Sequence, residues 1–91
     1  MNASSVMNTA LSGMRTQTNK VSAIASNVAN ISTPGYGRID PDTLTADDGQ
    51  SVDPAMELTG LIQAEQSFKA NAVVFETGAD IWDLLMSIKR D

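Results

Sequence analysis

The stretch Ala25-Ser-Asn-Val-Ala-Asn-Ile-Ser-Thr-Pro-Gly-Tyr36 decides how this chain folds, because it stops a long helical pattern at a defined place. Asn27 and Asn30 stand three residues apart, so their amides share a helix face. Thr33 precedes Pro34 and is pushed out of the right-handed helical region. Pro34 suits the second position of a type II turn, and Gly35 suits the third, where φ is positive. The sequence therefore predicts a helix terminus at which Asn27, Asn30, Thr33 and Tyr36 gather several polar groups.

Upstream, apolar residues recur at three- and four-residue steps. Met7, Leu11, Met14, Thr18, Val21, Ala25 and Val28 form a heptad stripe with one polar intruder, Thr18, and Ala10, Ile24 and Ile31 widen it. This predicts a first helix over about 5–31. The same stripe also suits an ordinary amphipathic core helix.

Downstream, residues 32–52 hold Pro34, Gly35, Gly37, Pro41 and Gly49, and five Asp lie between Asp40 and Asp53. They predict an irregular acidic linker, long enough to join two antiparallel helices, with room for a short extended piece at Gly37-Arg38-Ile39. A second helix follows over about 54–89. Asp53 fits its N-cap and Pro54 its first position, where a missing N–H costs nothing. Glu57 in the first turn and Lys89-Arg90 at the end complement the helix dipole. Its stripe runs through Leu58, Leu61, Glu65, Phe68, Ala72, Phe75, Ala79, Trp82 and Met86, and on this reading Phe68 and Phe75 pack against helix one. The expected architecture is all-α: two long antiparallel helices in a coiled-coil-like hairpin, forming one domain.

Helix two carries a second apolar row, Val74, Gly78, Ile81, Leu85 and Ile88. A two-helix hairpin covers one face of each helix, so a leftover row marks a contact with something else. Gly78 within it costs roughly 1 kcal/mol relative to Ala, which either a close helix–helix approach or a slight bend explains.

Composition narrows the chemistry. Ninety-one residues build a small core. There is no cysteine for a disulfide framework and no histidine, the commonest general base and metal ligand. The acidic residues Asp40, Asp42, Asp47 and Asp48 invite a calcium reading, but their spacing does not match an EF-hand loop. Paired carboxylates (Glu65 with Glu76, Asp80 with Asp83) stand with no candidate nucleophile. No apolar run approaches membrane-span length, and no secretory signal peptide is visible. The chain reads as a non-enzyme without cofactor or metal, and without membrane insertion. Residues 1–38 contain Arg15, Lys20 and Arg38 and no acid, whereas residues 39–91 hold all eleven acids. Three scattered cations make no nucleic-acid stripe; the asymmetry favours pairing the first half against the second, within or between copies.

The segment from Ala10 to Tyr36 resembles the N-terminal motif of the bacterial flagellar rod and hook proteins, the axial family. Residues 51–90, SVDPAMELTGLIQAEQSFKANAVVFETGADIWDLLMSIKR, resemble that family's C-terminal motif. The two matched ends cover roughly three quarters of the chain. The resemblance implies two helices that pack as a coiled coil into the inner tube of the flagellar axis, and a subunit of the basal-body rod exported without a cleaved signal peptide. It implies as partners copies of the chain, other rod proteins and the flagellar export apparatus. The globular insertion of larger members is replaced here by roughly twenty residues. The residues expected to carry assembly are Asn27, Asn30, Thr33, Pro34, Gly35, Tyr36, Leu58, Phe68, Asn71, Gly78, Ile81, Leu85 and Ile88. Asn27, Asn30, Asn71 and Glu65 suit register-setting polar groups at a helix seam, or plain caps and surface amides. A cytoplasmic helical export chaperone or regulatory adaptor is the competing reading; it leaves the paired end motifs unexplained.

Overall fold

The computed structural model describes residues 2–47 and 49–90, with the backbone alone at 89 and 90. The Lys89-Arg90 side chains and Asp48 therefore lie outside the described residues. The chain is mostly helical and elongated, 65 × 19 × 16 Å. Two helices, α1 (Ala3–Ala29) and α2 (Pro54–Arg90), run antiparallel, and between them lies a two-stranded hairpin, β1 (Arg38–Asp40) and β2 (Thr45–Asp47).

Local chemistry sets each boundary. Asn2 caps α1, its side chain accepting from the Ser5 N–H at 2.8 Å, so the helix starts at Ala3 rather than near Ser5. Asn30 closes it: backbone and side-chain N–H groups both donate to the Ser26 carbonyl. The expected type II turn follows, with the Tyr36 N–H donating to the Thr33 carbonyl at 3.2 Å and Gly35 at φ +77°. Asp53 caps α2, accepting from the Ala55 N–H at 3.0 Å, with Pro54 at the first helical position. The linker is less irregular than its composition suggests, since β1 and β2 pair in register Arg38↔Asp47, Ile39↔Ala46, Asp40↔Thr45.

The line of contact between the helices corrects the sequence reading. On α1 it runs through Ala3, Ala10, Ile24 and Asn27, and on α2 through Glu57, Ala64 and Gly78, all buried, with Gly60 and Asn71 half-buried between them. Small residues bring the backbones together. A Cβ on Gly60 would come within 3.2 Å of Ile24 Cδ1, one on Gly13 within 2.5 Å of Asn71 Oδ1, and one on Gly78 within 2.7 Å of Met7 Cγ. Gly78 thus belongs to the α1 contact and not to the leftover row, and close approach is what its missing side chain permits. Leu58 and Phe68, assigned to the seam, are 58% and 42% exposed. Phe75 is half-buried. The seam sits about one residue around each helix from the large apolar stripe, because Ala and Gly allow a closer approach than Leu and Phe, and because Asn27 and Glu57 must face each other. Among the described residues no helix is long and apolar enough to cross a membrane.

Candidate functional site

At the hairpin end of the molecule the helices, the turn and β1 meet around one amide. Asn27 is fully buried. Its Oδ1 accepts from the Ile39 N–H at 2.8 Å and from the Tyr36 hydroxyl at 3.0 Å. Its Nδ2 donates to the Ile39 carbonyl at 2.8 Å and to Glu57 Oε2 at 3.3 Å. Ile39 faces Ala46 across the hairpin, yet both of its backbone groups turn to Asn27. The amide therefore closes the outer edge of β1 as a third strand would, leaving no unpaired ladder groups there.

Glu57 completes the cluster. It is 1% exposed, and Oε1 receives Arg38 Nε at 2.6 Å. Two buried charges are tolerated only when paired and hydrogen-bonded, and here each carboxylate oxygen has a donor. Among the described residues no buried side-chain polar atom lacks a partner. Tyr36 Oη also lies 3.0 Å from Ser26 Oγ, tying the turn back to α1. A partly exposed ion pair, Lys20 to Asp42 at 3.1 Å, anchors the hairpin tip and adds little.

Asn27 and Tyr36 are therefore brought together, whereas Asn30, Thr33, Pro34 and Gly35 are held in the cap and turn, with Thr33 Oγ1 donating to Asn30 Oδ1 at 3.1 Å. Asn71 lies over Gly13 and donates to the Ser67 carbonyl at 2.9 Å. Glu65 is off the seam and pairs with Lys69 on the surface. Sequence reasoning passed over Arg38 and took Glu57 for a dipole partner. One signal was present: Glu57, Ala64, Asn71 and Gly78 repeat every seven residues, in the same heptad position as two residues already singled out.

Many large apolar side chains lie outside the contact between the helices. Ile81, Leu85 and Ile88 are 47%, 53% and 65% exposed, and Leu58, Ile62, Val73, Trp82 and Leu84 are exposed with them. On one side of the hairpin, Val21 of α1 and Leu61 and Phe68 of α2 border a groove of about 500 Å³. Large apolar patches on a small protein mark contact sites. Among the described residues no three His, Asp or Glu side chains gather as a metal site.

The molecule is a helical hairpin braced by a buried polar cluster, with apolar side chains on its outer face, and sequence comparison says which proteins it is similar to. Residues 7–36, from the first turns of α1 through Tyr36, match the family described as "Flagella basal body rod protein". The flagellar hook protein FlgE of Brucella suis is 41% identical over 56 residues, covering 62% of this chain and 13% of the hook protein, and that of Brucella abortus gives the same figures. FlgE of Rhizobium meliloti is 37% identical over 43 residues, 47% of this chain and 11% of that protein. The chain thus spans 13% of the length of the first of these curated relatives. No solved structure matches it. The similarity is to the axial proteins of the flagellum, rod and hook alike, and the matched segment contains the Asn27–Tyr36 pair at the centre of the polar cluster.

Proposed function

We propose that this protein is a structural subunit of the bacterial flagellar axis, a component of the basal-body rod, and that it acts by self-assembly without chemistry. The observation that carries the reading is the apolar face that the hairpin leaves uncovered. α2 is 37 residues long, hence about 55 Å, and a strip about 10 Å wide along it offers about 550 Å² per copy. Two such strips face to face bury about 1,100 Å², just above the roughly 1,000 Å² that a biological interface should clear and within the size of weak single contacts. The similarity to rod and hook proteins supports an axial assembly; copies of itself and other axial proteins are the proposed partners, and the flagellar export apparatus is the proposed route to a periplasmic rod. The polar cluster then has a mechanical role, fixing the helices and the β-hairpin as one rigid piece.

The test is the double substitution Ile81→Glu and Leu85→Glu in a strain lacking the chromosomal copy. Both side chains are exposed, so the hairpin folds; buried between copies, the new charges are unpaired and association loses several kcal/mol, roughly 3–5 for each fully buried charge. The expected cells export the protein, lack complete basal bodies by electron microscopy and do not swim. Normal motility would sink the assignment and leave the adaptor reading ahead.

A further inference from the structure

The apolar stripes of the two helices meet on one side of the hairpin. Thr18 and Val21 come from the α1 stripe and Leu61 and Phe68 from the α2 stripe, and all four line the same groove, together with Gln17, Ala64 and the Glu65–Lys69 pair. The heptad spacing of each stripe is what a helix lying between them requires. At the other end of the molecule α2 outruns α1: Gly78 already lies against Ala3 and Met7 at the start of α1, so the turns from Ile81 onward have no α1 alongside. Those turns present Ile81, Leu84, Leu85 and Ile88, all between 47% and 65% exposed. Their spacing is i, i+3, i+4, i+7, the anchor pattern of a helix that lays its apolar face into a groove.

We propose that the C-terminal turns of α2 in one copy occupy the Val21–Leu61–Phe68 groove of a second copy. The occupant cannot be the same chain. α2 is continuous from Pro54 to Arg90, and thirteen residues of helix hold Ile81 about 20 Å from Phe68 along the axis. The rim of the groove carries one exposed ion pair, Lys69 with Glu65, which adds little and leaves the apolar residues as the contact surface. The two surfaces are different patches of the same protein, so the contact is heterologous, the type that builds rings or open helical arrays according to the rotation between copies. This rests on the self-assembly reading above and names the surfaces that carry it.

The experiment uses the full chain, which has no native cysteine. Thr18→Cys and Leu84→Cys are made separately, both at exposed positions. The two purified variants are mixed with a short bis-maleimide linker, while wild-type association is followed by sedimentation velocity. The expected result is concentration-dependent association with a Thr18→Cys to Leu84→Cys cross-link as the main product. Leu61→Arg, with helical content kept, is expected to weaken association about ten-fold. Association with cross-links only between two Leu84→Cys chains, or between two Thr18→Cys chains, would overturn the groove pairing and leave self-assembly standing. A wild-type chain that stays monomeric at every concentration would overturn both.

Discussion

Arg38→Ala is the substitution that most directly probes what holds this molecule together. It removes the ion-pair partner of Glu57, a carboxylate with 1% of its surface exposed, and among the described residues leaves Asn27 Nδ2 at 3.3 Å as its side-chain donor. Breaking a buried ion pair from one side costs about 3–5 kcal/mol, because an uncompensated charge stays in the interior. For a domain of this size 1 kcal/mol moves the melting temperature by about 4–8 °C, so Arg38→Ala is expected to melt at least about 12 °C below the wild type, or to lack a cooperative transition. Far-UV circular dichroism at one fixed protein concentration is the assay, since association raises apparent stability by mass action. The paired change Arg38→Met with Glu57→Met removes both charges, and by the same reasoning it recovers most of the loss. A melting temperature for Arg38→Ala within about 4 °C of the wild type would refute the reasoning, since the pair would then contribute less than about 1 kcal/mol. A double variant no more stable than the single one would show that geometry, rather than the unpaired charge, is what matters.

Two further outcomes follow from the same packing. Phe68→Ala is expected to change melting by less than about 1 kcal/mol because the ring is 42% exposed, whereas Gly78→Val drives a branched side chain into Met7 and Ala3 and is expected to cost about 1–3 kcal/mol; thermal melts of the two variants showing the reverse order would place the seam where the large side chains are. Asn27→Ala strips the edge of β1 of its closing amide and is expected to cost about 1–3 kcal/mol, with Tyr36→Phe at about 1 kcal/mol; amide exchange should then rise at Ile39 first, and unchanged exchange there would count against the third-strand role of Asn27.

How much of this was legible in the sequence depends on where the information is local. The type II turn at Pro34-Gly35, the Asp53-Pro54 start of α2 and the helix class of both long segments follow from backbone sterics and hydrogen bonds within a few residues, and they stand in the structure as read. Asn27 was visible as a polar group at the end of α1. Its actual partners, Ile39 and Glu57, lie 12 and 30 residues away. No local rule pairs an amide with a strand edge at that separation. Arg38 looked like one of three scattered cations, and Glu57 like a dipole partner, because an ion pair across 19 residues leaves no periodic trace.

The displaced seam has a different cause. Hydrophobic periodicity reports that a face is buried, and it does not report by what. The stripe from Met7 to Val28 and the stripe from Leu58 to Met86 are both real, and both are heptads. In the single chain, Leu58, Leu61, Phe68 and Trp82 stay 39–58% exposed, while Ala3, Ala10, Ala64 and Gly78 take the contact between helices. Small residues suit that contact because they let backbones approach, with Asn71 against Gly13 and Ile24 against Gly60. A monomer selected only for its own stability would place its Leu and Phe inside, since burying each contributes about 1.5–3 kcal/mol. Leaving them outside on two matched stripes makes physical sense when other helices cover them, and that is the condition of a subunit in a tube. On the proposed reading, the coiled coil read from the sequence is the one formed between copies, and the hairpin is the rigid unit that presents its two halves.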